Sequence, residues 1–416
     1  MKTIALFLDP KGTVLEVVRA AKRRGLFIVA AVSDESLLTG APEPYQSAVS
    51  CIDQILPVDS WNVSTAQKIV EALRPLGKVE CVYSGFDPCA VTVAKLRSEF
   101  ELPTTSPETL ALILDKQRLR TRLIELGLSK INLASQSVAD KWNSWEFGGP
   151  AYFKPIHGFF SAYVKRCENW EDFKKARSEW ERGNASDPVY VKNYVRGTNQ
   201  YYLEQAFDGE LLSVESFSSG GKFQCLGLLS RILYSKNHIV EMGSCFPYPH
   251  PLRDKIIATV EKAHALLGFT EGASHVELIV GKSGNVEIID FNPRFVGADV
   301  LQSINNAYGI RIEEQLLDWA CGKEVAISMN KPQYSCLQYV LSPEPLRFES
   351  ISFPGSPEVK FKTTFVKHGA NLSSIDRQLD YIGCYLTVMP TFELALSRSR
   401  ELRSEVKING YLEGAY

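Results

Sequence analysis

Two short segments carry the residues best suited to chemistry. They are His275-Val276-Glu277-Leu278 and Ile288-Ile289-Asp290-Phe291-Asn292-Pro293-Arg294. Because side chains alternate along a strand, Asp290 and Asn292 share one strand face, and a four-residue hairpin loop over 282–285 would place Glu277 directly opposite Asp290. Two carboxylates and an amide oxygen would then converge. That set of hard oxygen ligands is what Mg²⁺ bound to nucleotide phosphates requires.

A bound cation also explains why two acids occupy neighbouring strands, since like charges placed opposite each other destabilise a strand pair. The alternative is a solvated strand face that carries two acids by chance. The flanking residues are apolar, and a charge among them is costly without a partner, which favours the metal site. Arg294 follows Asn292 by two residues and offers a planar fork to a phosphoryl group or a carboxylate.

A second group of candidates is basic. Lys154 ends an apolar run and precedes the loop at 155–161, an arrangement that can clamp phosphates by charge and by backbone N–H groups. A lysine at a strand end is more often simply solvated, and Lys116, on an Arg-rich helix face, is normally a surface cation. Phe159 and Phe160, within the loop, suit either a lid or the core.

The elements that must position these residues follow two patterns. Over the first hundred residues, short apolar runs alternate with amphipathic stretches, which predicts parallel βαβ units in a small doubly wound sheet. The loop Ser84–Pro88 would face the ligand crevice of that sheet. One helix is expected from Ser106 to Gly127, and another over Leu252–Leu267. Strands are expected at Ala151–Lys154, Val189–Tyr194, Gln200–Phe207, Leu211–Phe217, Phe223–Ser230, Ser274–Val280, Val286–Phe291, Cys336–Leu341 and Tyr385–Val388, before a helix near Thr391–Arg403.

Composition excludes several classes of protein. The chain has 416 residues, with 46 basic and 48 acidic side chains and a net charge of −2, so bulk charge gives no reason to expect binding to nucleic acid or an anionic membrane. No apolar run approaches the ~20 residues of a membrane-spanning helix. The nine cysteines are scattered without a CxxC pair. They are expected to be free thiols in a reducing compartment, which favours a cytoplasmic protein.

The order of these motifs resembles the ATP-grasp superfamily. The resemblance covers nearly the whole chain, and its most specific matches are Gly272–Glu277 and Asn292–Gly297. It implies an α/β fold with a Rossmann-like domain over 1–105, an ATP-grasp domain over 106–330 with lobes at 106–190 and 191–330, and a mixed α+β region over 331–416. Within the superfamily, the chain is most similar to the carboxylate–amine ligases, including the L-amino acid ligases.

The resemblance also implies a role for each matching residue. It implies that Arg294 and Lys154 are catalytic, and that the metal ligands are Glu277, Asp290 and Asn292, holding Mg²⁺ with Mn²⁺ as an alternative. The implied ATP contacts are Lys116, Lys154, Ser161, Lys192, Asn193, Tyr194, Val195, Asn199 and Leu278. The implied substrate contacts are Glu241, Gly243, Arg294 and Gly297. Lys192 and Asn199 stand where the family often has Glu, and the phosphate loop has fewer glycines than usual.

The implied activity is ligation of a carboxylate, expected to belong to an amino acid, to an amine through an acyl phosphate, with release of ADP and phosphate. The expected product is a dipeptide or an amino-acid amide. Both substrates would be small molecules, and a homodimer is the commonest expectation for such a chain. One alternative is another ATP-grasp reaction, such as bicarbonate-dependent carboxylation of the biotin carboxylase type or a ligation of purine synthesis. The other is a nucleotide-binding module without turnover, against which the intact set of Glu277, Asp290, Asn292 and Arg294 argues.

Overall fold

The first hundred residues form a parallel α/β layer. The computed structural model describes residues 2–35, 38, 45–185, 187–234, 237–295, 297, 299–342, 344–372 and 381–412. The first elements are β1 (Lys2–Leu8), α1 (Val14–Arg23), β2 (Phe27–Val32), α2 (Gln46–Val49), β3 (Gln54–Pro57), α3 (Ala66–Leu73), β4 (Gly77–Tyr83) and α4 (Ala90–Glu99), with 3₁₀ turns at Val63–Thr65 and Asp87–Cys89. The strands pair in parallel in the order β3-β2-β1-β4, which confirms the predicted sheet.

The next helical segment is broken where one continuous helix was predicted. Ser106 caps α5 (Pro107–Leu114) by accepting a hydrogen bond from the Thr109 N–H. Asp115 then has an extended backbone, and its side chain caps α6 (Lys116–Glu125) by accepting from the Arg118 N–H. The capping aspartate therefore starts a second helix, and the prediction of a single helix was wrong.

Residues 133–205 form a second sheet. Its elements are β5 (Leu133–Ser135), α7 (Gln136–Ala139), β6 (Ala151–Pro155), β7 (Lys165–Cys167), α8 (Trp170–Arg182) and β8 (Tyr201–Gln205), and the strand order is β5-β8-β6-β7. The strand predicted at 189–194 is wrong, because Val191–Val195 forms a π-helical turn. Val191 and Val195 are both buried, and a helical turn puts residues four apart on the same side.

A third sheet holds the two segments singled out for chemistry. The elements here are β9 (Glu210–Ser219), β10 (Lys222–Ser230), β11 (Ile232–Tyr234), β12 (Asn237–Phe246), α9 (Arg253–Leu267), β13 (Gly272–Val280), β14 (Val286–Asn292), α10 (Val300–Tyr308) and α11 (Ile312–Ala320). The sheet is antiparallel in the order β10-β9-β13-β14. Helix α9 ends at Gly268 in the left-handed conformation, as the sequence predicted.

The remaining residues complete a fourth sheet and a small periphery. They form β15 (Tyr334–Val340), β16 (Leu346–Arg347), β17 (Ile351–Ser352), β18 (Val359–Thr364), β19 (Asn371–Leu372), β20 (Gly383–Met389), α12 (Phe392–Arg403), β21 (Lys407–Ile408) and β22 (Tyr411–Leu412). The fourth sheet has the order β11-β12-β15-β20-β18, so β11 and β12 from the middle of the chain pair with strands of the C-terminal part. The predicted tail strands and helix are confirmed. The boundaries near 105 and 330 stay predictions.

The cysteines depart from expectation at one place. Cys245 and Cys336 lie directly opposite each other on β12 and β15 and are joined by a disulfide, while the other seven cysteines are free. Ninety-one residues separate the pair along the chain, so no local spacing indicates it. Over the described ranges, we find no helix with the length and apolar character needed to cross a membrane.

Candidate active site

A cavity of about 730 Å³ lies where the parallel sheet and the three antiparallel sheets meet. Nine of the sixteen residues expected at the site line it: Lys116, Lys154, Ser161, Glu241, Glu277, Asp290, Asn292, Arg294 and Gly297. The other seven do not line it: Lys192, Asn193, Tyr194, Val195, Asn199, Gly243 and Leu278. The residues predicted for charge and metal chemistry are therefore brought together, and those predicted for the nucleotide hinge are not.

The acidic pair forms through a β-bulge. Glu277 lies opposite Asp290, and His275 lies opposite Asn292, as the sequence predicted. The connecting loop is one residue longer than expected, since Val280 pairs with Val286, and the register shifts after Glu277 to restore the pairing. Ile289 is the extra residue of this bulge, and both Ile289 and Asp290 face the cavity.

A cationic group already contacts this acidic pair. The Lys116 ammonium donates a hydrogen bond to Asp290 Oδ2. The helix break at Asp115 positions it, because the Lys116 N–H bonds the carbonyl of Ile156 at 2.9 Å and so holds the start of α6 against the loop after β6. The pair thus attracts positive charge, and its two carboxylates with the Asn292 amide match the ligand chemistry of Mg²⁺.

Lys154 is held by a buried ionic network. Its ammonium lies 2.6 Å from Glu204 Oε1, and Arg120 Nε lies 2.9 Å from Glu204 Oε2. Burial would raise the pKa of Glu204, but the charges and hydrogen bonds of Arg120 and Lys154 outweigh that effect and lower the pKa to about 2. Glu204 therefore stays ionised and orients Lys154 at the cavity wall. Neither Glu204 nor Arg120 was expected at the site.

Arg231 links Glu277, a candidate metal ligand, to Glu241, a residue predicted to contact the substrate. Its guanidinium lies 2.5 Å from Glu241 Oε2 and 3.0 Å from Glu277 Oε1. Burial would raise the pKa of Glu277, but hydrogen bonding to His275 and the charge of Arg231 keep it low, so this carboxylate remains charged. The sequence signal was one arginine between two apolar runs, Leu226–Leu229 and Ile232–Leu233, which alone indicates no partner.

Two further groups complete this network. His275 Nδ1 lies 2.5 Å from Glu215 Oε1, and its Nε2 lies 3.1 Å from Glu277 Oε1. Burial lowers the pKa of His275, but the charge and hydrogen bond of Glu215 raise it to about 9, so a protonated ring donates to both carboxylates. Glu241 Oε1 is buried and accepts no hydrogen bond from the described residues, and burial raises the pKa of this carboxyl. An unsatisfied buried acceptor at the cavity wall is ready for a donor on a ligand.

Arg294 is held by the parallel sheet. Its Nε and Nη2 lie 2.8 Å from the two carboxylate oxygens of Asp87, which begins the 3₁₀ turn after β4. The loop Ser84–Pro88 thus faces the cavity, as the sequence predicted. The ion pair and the hydrogen bond from Nη2 to Asp87 Oδ2 hold the guanidinium against this turn, while Asp87 Oδ1 accepts no hydrogen bond from the described residues.

In the loop after β6, three residues that are not glycine have a left-handed backbone. Phe160, Ser161 and Tyr163 have φ values of 54°, 49° and 61°, in the left-handed region that glycine adopts without strain. Phe159 lines the cavity and also packs in the core, where its ring lies 5.7 Å from that of Phe86. The interpretation of Phe159 as a core residue is confirmed, and its role in a lid stays a prediction.

The connection between the lobes lies elsewhere than the sequence indicated. The chain passes from β8 to β9 through residues 206–209, and Gln205, Phe207, Gly209 and Leu211 line the cavity. Only glycine fits at 209, because a Cβ there would lie 2.3 Å from the Val280 carbonyl oxygen.

The residues predicted for the hinge lie apart from this connection. Lys192 lies in the helical turn, and its ammonium donates a hydrogen bond to the carbonyl of Ala185. Asn199 lies in the loop that follows this turn. Leu278 is buried on the opposite strand face, while Ile279 faces the cavity. Gly243 packs against β15, where a Cβ would lie 2.4 Å from the Leu337 carbonyl oxygen.

Part of the chain is similar in sequence to known ATP-grasp proteins. Residues 147–302 match the ATP-grasp domain family. An alanine–anticapsin ligase from Bacillus amyloliquefaciens is 22% identical over 228 residues, which are 50% of this chain and 47% of that protein. The chain therefore spans about half the length of the curated relatives it matches.

Two solved structures share the fold over almost all of the chain. The L-amino acid ligase from Bacillus licheniformis has a TM-score of 0.78 and 19% identity, covering 98% of each chain. The biotin carboxylase domain of the Hydrogenobacter thermophilus 2-oxoglutarate carboxylase, solved with MgADP and bicarbonate, has a TM-score of 0.69 and 18% identity, covering 98% of this chain and 91% of that one. At these identities the likeness shows the fold, which is the one the sequence motifs predicted.

Proposed function

We propose that this chain, which has the ATP-grasp fold and carries an ATP-grasp domain over residues 147–302, is an ATP-dependent carboxylate–amine ligase. One carboxylate would come from an amino acid, and the products would be an amide, ADP and orthophosphate. The feature that supports this most strongly is the edge of the cavity where Glu277, Asp290 and Asn292 face Lys116, Lys154 and Arg294. Oxygen ligands and three cations at one place suit a polyphosphate and the transfer of its terminal group.

The residues at this edge of the cavity divide into phosphate contacts and metal ligands. Lys116 and Lys154 would bind the phosphates, and Ser161 in the adjoining loop would cover them. Glu277, Asp290 and Asn292 would hold Mg²⁺, with Mn²⁺ as the alternative. When bound, the ion would offset the negative charge of the phosphates. The nucleotide base would lie by the connection at 205–211, beside Ile279 rather than Leu278.

The reaction has two steps. A carboxylate oxygen of the donor attacks the γ-phosphorus, the bond to the β-phosphate oxygen breaks, and ADP leaves. The amine nitrogen then attacks the acyl carbon, the carbon–oxygen bond to phosphate breaks, orthophosphate leaves, and the nitrogen loses a proton. Arg294, fixed by Asp87, stabilises the charge on the transferring phosphoryl group.

Glu241 supports an amino acid as the donor. Its Oε2 is bound by Arg231, whereas its buried Oε1 has no donor among the described residues. A donor ammonium would satisfy this oxygen. Beyond Glu241 the cavity wall is largely apolar, with Tyr339 and Tyr381 stacked at 4.2 Å between ring centroids, which suits a side chain with apolar surface.

An ADP-release screen over amino acids, singly and in pairs, tests the function. We expect release that depends on an amino acid, yields hydroxamate when hydroxylamine replaces the amine, and falls about 100-fold or more in Glu277→Gln, because a charged ligand is lost. Glu324→Gln is the matched control, since that glutamate is exposed, pairs with Lys222 and does not line the cavity. AMP as the product, or ADP release that needs bicarbonate and no amino acid, would contradict the proposal.

A further inference from the structure

One basic residue at the cavity has no task in the proposed reaction. Lys11 follows β1, lies in the loop that leads into α1, and lines the cavity together with Gly12 and Thr13. It follows a strand of the parallel sheet. By contrast, Lys116 begins α6, Lys154 lies on β6 of the second sheet, and Arg294 follows β14 of the third sheet. Its position adds a further cation to those of Lys116, Lys154, Arg166, Arg231 and Arg294 at the cavity.

The Lys11 ammonium is enclosed by aromatic rings. It lies 3.6 Å from the centroid of Phe86 and 4.4 Å from that of Tyr190. Ring faces stabilise a positive charge but leave its N–H donors without conventional acceptors. Within the described part of the chain, Lys11 Nζ makes no hydrogen bond or ion pair.

The acidic groups near Lys11 are already engaged. Asp87 forms an ion pair with Arg294, in which Oδ2 accepts a hydrogen bond from Nη2, while Oδ1 lies 2.8 Å from Nε and accepts no hydrogen bond from the described residues. Asp9 accepts hydrogen bonds from the Ser33 N–H, the Ser60 hydroxyl and the Trp61 indole. Burial and the neighbouring charge of Arg294 lower the pKa of Lys11 to about 8, even though Asp87 and Asp9 oppose the shift. The Lys11 ammonium therefore keeps unused donors at this corner of the cavity, which an anionic group would satisfy.

We infer that Lys11 is the residue that recognises an amino-acid amine substrate, by binding its non-reacting carboxylate. The inference rests on the proposed ligase function. The donor carboxylate has to lie at the phosphates, and the donor ammonium has its own partner in Glu241. The amine must attack as a neutral nitrogen, and the charge of the Lys11 ammonium favours that form of a neighbouring amine while its unused donors attract the carboxylate.

The first test does not depend on turnover. The protein with a non-hydrolysable ATP analogue and Mg²⁺ is treated with acetic anhydride, and acetylation of Lys11 is followed by mass spectrometry in the presence of the twenty common amino acids or their C-terminal amides. We expect at least one amino acid to slow acetylation of Lys11 about tenfold or more, while its amide does not, as a charge-assisted hydrogen bond implies. Equal protection by the amides, or no protection by any of these probes, would overturn the inference.

A second test uses the specificity of the reaction. Hydroxylamine is an amine without a carboxylate, so the ratio of kcat/KM for the best amino-acid amine to that for hydroxylamine reports recognition of the carboxylate. This ratio should fall about 10- to 100-fold in Lys11→Met and be largely restored in Lys11→Arg. An unchanged ratio in Lys11→Met would refute the role. Absence of hydroxamate from the wild-type protein would instead refute the ligase function, which separates the two failures.

Discussion

At the scale of single residues, carboxylates and cations of the site form ion pairs with one another. Arg231 bridges Glu241 and Glu277, and His275 bridges Glu277 and Glu215. Such a buried network is costly if one member is removed, because the remaining charge is left without a partner. The network therefore fixes Glu277 in its charged form before any ligand arrives.

The pKa of His275 makes the stability of the protein depend on pH. Its folded-state pKa of about 9 lies above the 6.5 of an unperturbed histidine. The stabilisation from the protonated ring is therefore complete below about pH 6.5 and is lost as the pH rises through about 9. We expect the free energy of unfolding, measured by urea titration, to fall over this range in the wild type and to fall less in His275→Gln.

Comparison of the two proteins isolates this effect. Other groups that titrate in the same range, including Lys11 with its pKa of about 8, are present in both and cancel in the difference. Parallel pH profiles for the wild type and His275→Gln would contradict the assignment of a protonated His275.

At the scale of elements, backbone breaks position the reactive groups. The extended residue Asp115 starts α6 so that Lys116 reaches Asp290, and the bulge at Ile289 turns Asp290 toward Glu277. Neither device belongs to a regular helix or strand. Both lie next to a charge that the proposed chemistry needs.

Removal of the Asp115 cap should affect stability and nucleotide binding together. Asp115→Ala loses the hydrogen bond to the Arg118 N–H, which costs about 1 kcal/mol, and loosens the start of α6. We expect a higher KM for ATP along with the lower stability. Ser106→Ala is the control, because it removes the corresponding cap from α5 without touching the helix that carries Lys116.

Equal effects of the two substitutions on KM would contradict this role for the helix break. Stability is read from urea unfolding, and KM from the rate of ADP release.

The sequence predicted the strands of the acidic pair because their alternation and apolar content are strong and local. It did not predict the bulge, since a five-residue loop with a compensating bulge gives the same pairing as a four-residue loop. Val189–Val195 resembled a strand through its β-branched residues, but Val191 and Val195 are buried from one side of a helical turn. The pairing of Arg231 with Glu241 depends on sheet packing, which spacing along the chain does not encode.

At the scale of the whole molecule, the cavity is lined by residues from the N-terminal, central and C-terminal parts of the chain. Lys11 and Asp87 come from the parallel sheet, the connection 205–211 joins two antiparallel sheets, and Tyr339 and Tyr381 come from the C-terminal part. The parallel sheet is also tied to α11 by Arg97, which donates hydrogen bonds to the carbonyls of Ala320 and Trp319. The part of the cavity around Glu241, Tyr339 and Tyr381 is thus an assembly of separate layers, which local sequence patterns do not encode.

The central claim is that a carboxylate becomes an acyl phosphate, and isotope transfer tests it most directly. The donor found in the ADP-release screen is labelled with ¹⁸O in its carboxylate, and the released phosphate is examined by ³¹P NMR or mass spectrometry. We predict orthophosphate that carries one ¹⁸O atom from the donor, because the carboxylate oxygen that attacked the γ-phosphorus leaves with it. Unlabelled orthophosphate, or ¹⁸O found in AMP, would contradict the account.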